Sequence, residues 1–106
     1  MFTSILIHLI ADFFAGAFLC NAIPHLVSGL LGKPFPSPFA QPPGRGLSSP
    51  VVNFLWGFLN FVIALALLSI AHIEIGLNTP LISFLAGFFL LGLMCASHFG
   101  KVQAGR

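Results

Sequence analysis

A chain of 106 residues has room for one domain. Its side chains are 58% hydrophobic and only 6% charged, with a mean hydropathy of +1.05; soluble domains carry about 25% charged residues. That balance excludes a water-soluble fold and makes this an integral membrane protein. The net charge of +2 comes without a basic run or basic–aromatic patch, which excludes nucleic acid as a partner.

The first apolar run, from about residue 2 to 23, supplies the roughly 20 residues that cross a hydrocarbon core. It holds Asp12, the single formally charged side chain in any membrane-length segment, with His8 one helical turn before it. A basic n-region is missing and Asp12 interrupts the apolar core, so the run reads as a retained helix rather than a signal peptide. Ala17-Phe18-Leu19-Cys20 loosely resembles a lipoprotein cleavage site, but Leu19 is bulky where a small residue is needed. Pro24 lacks an N–H and clashes with the preceding turn, so it ends or kinks this span. It equally suits the first turn of a short interfacial helix over 24–32.

Residues 33–50 contain six of the eight prolines. Proline fixes φ and removes donors, so the expectation is extended polyproline-like chain followed by a turn at Pro43-Gly44. Phe35 and Phe39 suit a loop packed on the bilayer surface or on the bundle, and with Arg45 they form a candidate partner-binding surface. The alternative is an ordinary stiff linker. Ser49-Pro50 is a helix start signal, opening an uncharged second span over 51–73. A short turn through Glu74 leads to Thr79-Pro80, which repeats the signal, and a third span covers 80–99. The last residues, KVQAGR, are too few for a domain.

The expected fold is all-α, a membrane-embedded bundle of three transmembrane helices with a Pro-rich cytoplasmic loop. Three spans put Lys33, Arg45, Lys101 and Arg106, the chain's four basic residues, on one side. The positive-inside rule makes that side cytoplasmic, with the N-terminus and Glu74 outside. A fourth span made by splitting the first at Pro24 would scatter these charges. There is no internal repeat and hence no inverted pair of halves, as many transporters have, although a dimer would supply a second half. Cys20 and Cys95 fall near the inner ends of their helices and are expected as free thiols, with no zinc or redox spacing.

Counting inward from the span ends places Asp12 and Asn60 near the midplane. His8, His72 and Glu74 fall towards the outside, and Asn21, His25, Asn53 and His98 towards the cytoplasm. His8, Asp12, Gly16 and Cys20 recur every four residues. Asn53, Gly57, Asn60 and Ala64 share a face of the second span; Ser83 and Gly87, then Gly92 and Ala96, do so on the third. Small residues allow close helix approach, which assigns packing roles to Gly16, Gly57, Gly87 and Gly92.

An acid at the bilayer centre costs at least about 2.5 kcal/mol, so Asp12 must face the bundle. One reading makes Asp12, His8 and Asn60 a proton-binding or cation-binding group. The other makes Asp12 and Asn60 hydrogen-bonded structural fastening. The histidines pair by depth, His25 with His98 and His8 with His72, as an axial haem site would require, yet their spacing matches no motif. No metal or cofactor is therefore expected. Gly-x-Ser-x-Gly is absent, and Gly44-Arg45-Gly46 is too short for a phosphate loop, so the chain is not expected to be an enzyme.

The run His25-Leu-Val-Ser-Gly29-Leu-Leu-Gly32-Lys-Pro34-Phe35, followed by Pro38-Phe39-Ala40, Pro42-Pro43-Gly44, Ser48-Ser49, Asn53, Trp56-Gly57 and Asn60, resembles a family of small uncharacterised bacterial integral membrane proteins. The resemblance covers about residues 8–60 and implies a bacterial inner-membrane location without adding a catalytic residue. Small multidrug transporters are a second comparison, being of similar length with an essential acid in the first helix. Asp12 holds the analogous place, but here the acid is aspartate, the spans number three rather than four, and there is no Tyr. The expected function is a non-enzymatic subunit or scaffold meeting a membrane-protein partner or a second copy of itself. A proton-coupled small transporter working as an oligomer through Asp12 is the alternative, and a haem-binding membrane subunit the third.

Overall fold

A computed structural model describes residues 2–71 and 78–106; His72 and the turn at Glu74 lie outside the described residues. The fold is all-α, with α1 over Phe2–Leu30, α2 over Pro50–Ala71 and α3 over Thr79–Ala104. Each helix is long and apolar enough to cross a membrane. Extended structure among the described residues is a single antiparallel bridge, Phe35 with Ser48. The molecule is 49 Å long and 23 × 22 Å across.

α1 differs most from its sequence reading. Rather than ending at Pro24, it continues through that residue to Leu30, so there is no separate interfacial helix over 24–32. Residues 25–29 are held helical by α2, through a His25–Asn53 hydrogen bond and through Gly29 seated against Pro50 and Phe54. Those contacts outweigh the local preference of proline to stop a helix. Termination comes at Gly32, whose φ of 71° is left-handed. Lys33 N–H donates to Ser28 O (2.9 Å) and Gly32 N–H to Gly29 O (3.1 Å), the paired bonds of a Schellman stop. α2 opens with Ser49, whose Oγ accepts from Val52 N–H (3.1 Å). α3 is capped by Asn78 rather than Thr79, its side chain accepting from Leu81 N–H (2.9 Å). α3 also runs past Phe99 to Ala104, bringing Lys101 into its last turn.

α1 lies between the other two helices and packs against both, whereas α2 and α3 scarcely meet among the described residues. Glycines make both seams possible. A Cβ on Gly16 would collide with the Phe84 carbonyl oxygen, and one on Gly87 with that of Phe13, so α1 and α3 touch backbone to backbone. Ser83 Oγ donates to Leu9 O (2.7 Å) across the same seam. On the other side a Cβ on Gly57 would stand 2.8 Å from Leu26 N, and one on Gly29 2.7 Å from Phe54 N. Ala15, Ala22 and Ala64 are buried. Gly92 is less constrained, since a Cβ there would meet only Cys20 Sγ, at 3.4 Å.

The inside of the bundle is small and polar and its outside large and apolar. Asp12, His25, Asn53 and Asn60 are buried, while Phe2, Phe14, Phe58, Phe89 and Met94 are exposed. In water this arrangement would be unstable. In a bilayer the lipid chains solvate the large side chains, and polar groups find partners inside.

Gly87→Ala should destabilise the α1–α3 seam by about 1–3 kcal/mol, the usual effect of overpacking. Gly100→Ala, where a Cβ meets nothing within 4 Å, should be neutral or slightly stabilising. Reversible unfolding in mixed micelles, followed by circular dichroism, measures both.

Candidate functional site

The densest polar chemistry lies at the end of the bundle where α1 stops and α2 begins. Asn53, in the first turn of α2, is fully buried. Its Nδ2 donates to Phe35 O (2.8 Å) and lies within reach of Ser49 O (3.2 Å) and Ser48 O (3.3 Å). Because carbonyls surround Nδ2, the amide orientation is fixed, and Oδ1 must accept from His25 Nδ1 (2.7 Å). His25, 2% exposed, therefore carries its proton on Nδ1 when neutral and keeps a lone pair on Nε2.

The loop between α1 and α2 turns at 43–45, where Pro43-Gly44 was expected to turn, and hydrogen bonds close it on itself. Phe35 and Ser48 exchange backbone hydrogen bonds (3.0 and 3.3 Å). Ser48 also pairs with Ser37 through Oγ atoms 2.5 Å apart. Proline-rich chain has few N–H donors, and Ser37 and Pro42 accept five of them. Ser37 O accepts from Ala40 and Gly44, Ser37 Oγ from Phe39, and Pro42 O from Arg45 and Gly46. The Gln41–Pro42 peptide is cis, and Gly44 has a φ of 74°. α3 and the residues after it hold the other side of the loop, with His98 Nε2 donating to Gly44 O (2.6 Å) and Arg106 Nη2 to Arg45 O.

Of the three loop residues picked out by sequence, Phe35 packs inward, against the rings of Phe99 (4.7 Å) and His25 (5.6 Å). Phe39 meets Trp56 edge-on at 5.3 Å yet remains 62% exposed, and Arg45 is exposed. Beneath the loop is a cavity of about 130 Å³ lined by Asn21, His25, Trp56, His98 and Phe99. The structure thus brings His25 and His98 to one cavity, though its volume is below the roughly 300 Å³ at which ligand pockets begin. Among the described residues, no three His, Cys, Asp or Glu side chains are grouped to hold a metal. Cys20 and Cys95 are free thiols.

Asp12 and Asn60 do not meet. Asn60 accepts from Asn21 Nδ2 (3.0 Å) and donates to Trp56 O (2.8 Å), and Cys95 Sγ approaches Asn21 Oδ1 at 3.8 Å. Asn21 is nine residues from Asp12, about two and a half turns and so on the opposite side of α1. With α1 reaching Leu30, the helix midpoint falls at Gly16, one turn past Asp12. Asp12 is 0% exposed, and neither carboxyl oxygen has a hydrogen-bond partner among the described residues. His8, one turn away, is exposed and lines a separate cavity of about 270 Å³ with Ile5, Leu9, Thr79 and Pro80. The link that sequence reasoning missed is Asn21–Asn60. Both asparagines were visible as polar residues in apolar spans, but nothing local paired them.

Asn53→Leu strands His25 Nδ1–H and the Phe35 carbonyl, and should destabilise the protein by at least about 2 kcal/mol. Trp56 is the chain's single tryptophan and touches the loop through Phe39. Its emission should shift to the red in this variant, and limited proteolysis should cut within 36–47.

No family model matches the chain, and no curated protein or solved structure is significantly similar to it.

Proposed function

We propose that this chain is a non-enzymatic subunit or scaffold of a bacterial inner membrane, similar to the family of small bacterial membrane proteins that its 8–60 region resembles. In this reading the loop and the end of α3 are cytoplasmic. The support is that Lys33, Arg45, Lys101 and Arg106 all belong to that end of the bundle. One observation carries the scaffold reading. The loop is a preformed surface, fastened to all three helices, that leaves Phe39 62% and Leu47 52% exposed beside Arg45. A surface already ordered loses little entropy when a partner docks. Among the described residues α2 and α3 pack mainly on α1, which leaves most of their remaining faces to lipid or to another protein.

Native mass spectrometry from gently solubilised membranes tests this reading. The expected result is a defined complex, with a second protein or with further copies, that weakens at least tenfold in Phe39→Ser/Leu47→Ser. A bare monomer in wild type overturns it.

A second reading rests on Asp12, a buried carboxyl without a hydrogen-bond partner among the described residues. Such a group in a transmembrane helix suits proton coupling, with an oligomer supplying the rest of a transport path. Asp12→Asn should then abolish pH-dependent transport in proteoliposomes while membrane insertion stays normal. Transport that survives the substitution removes Asp12 from any mechanism.

A further inference from the structure

Two consecutive loop carbonyls are held by basic side chains at the end of α3 and just beyond it, Gly44 O by His98 and Arg45 O by Arg106. Lys101 follows His98 by three residues, which puts it beside His98 on the helix surface. These contacts bring Arg45 next to Arg106, with Lys101 in the last turn of α3 nearby, so three exposed basic residues share the loop end of the bundle. No ion pair satisfies them among the described residues. The single acidic side chain described, that of Asp12, is buried in α1, 18 residues or about 27 Å of helix from Leu30.

Like charges held together without a counter-charge repel one another unless an anion joins them. The surroundings say which kind. The patch lies where α3 leaves its apolar stretch, and Phe39 and Leu47 flank Arg45 on the same loop with more than half of their surface exposed. Exposed apolar side chains beside cations suit the boundary between headgroups and acyl chains. We infer that Arg45, Lys101 and Arg106 form a headgroup site for an anionic phospholipid, with Phe39 and Leu47 resting at the acyl-chain boundary. The guanidinium groups fork onto the phosphate and Lys101 adds a point charge. His98 positions the loop by holding Gly44. The site shares Arg45, Phe39 and Leu47 with the docking surface proposed above, so bound lipid and a protein partner meet there, and the lipid test reads Lys101 and Arg106, which that surface does not use.

The test is a native mass-spectrometric titration of the detergent-solubilised full chain. Phosphatidylglycerol and phosphatidylcholine of matched acyl chains form two arms, and inorganic phosphate a third. Wild type should retain phosphatidylglycerol about tenfold more tightly than phosphatidylcholine, and the preference should shrink as salt rises. Lys101→Gln and Arg106→Gln should each weaken phosphatidylglycerol about fivefold, while Lys101→Arg keeps the affinity. Lys33→Gln removes an equal charge at the same end but from none of these contacts, and should change little. Circular dichroism confirms that these surface variants stay folded. Equal retention of the two lipids overturns the inference, as does an equal loss from Lys33→Gln, which marks diffuse charge rather than a built site. Displacement of the lipid by submillimolar inorganic phosphate also overturns it, in favour of a free-phosphate site.

Discussion

The architecture depends on how closely a neighbour can approach α1. Hydrocarbon gives helices no hydrophobic reason to associate, so they are held by close contact and by hydrogen bonds between them. α1 offers Gly16 to α3 and Gly29 to α2, and receives Gly87 and Gly57 in return. Backbone contact on both sides places α1 between its partners, and α2 and α3 then need only one packing side each. The exposed Phe, Leu and Ile side chains follow from the same arrangement, since two of the three helices turn most of their surface to lipid.

Hydrogen bonds fix the register that close contact leaves open. Asn21–Asn60 and His25–Asn53 are successive rungs between α1 and α2, about one turn apart on α1. In a medium without water a broken rung leaves a polar atom with no substitute partner, so a slip of one residue is strongly disfavoured. Asn53 extends this control to the loop by taking the Phe35 carbonyl. Fold and surface are therefore coupled. The residue that aligns α2 on α1 also decides where Phe39 and Arg45 stand.

The molecule is chemically polarised along its length. The loop end holds four cations, the folded loop and the His25–Asn53 pair, whereas towards the start of α1 lie His8 and the unpartnered carboxyl of Asp12. Asp12 and Asn21 occupy opposite sides of α1, so the buried polar residues do not form one continuous file through the bundle. A transport path using Asp12 therefore needs groups from beyond this single chain, whereas a docking role uses a surface the chain completes by itself.

The sequence by itself determined the membrane class, the all-α architecture and the three apolar helices. Those are local quantities, because transfer of a side chain to hydrocarbon and the length of a run are properties of neighbouring residues. It also displayed the buried polar residues as exceptions within apolar segments. Tertiary structure alone decided where α1 ends, because the local effect of Pro24 was outweighed by contacts of residues 25–29 with α2. It decided that Asn60 bonds Asn21 and leaves Asp12 alone, since a partner depends on register and on which side of a helix faces which neighbour. It also folded the proline-rich segment, whose few N–H groups converge on Ser37 and Pro42 and whose carbonyls are held by Asn53, His98 and Arg106. Each of these outcomes joins residues distant in the chain, and spacing along the chain carries no information about which of them will meet.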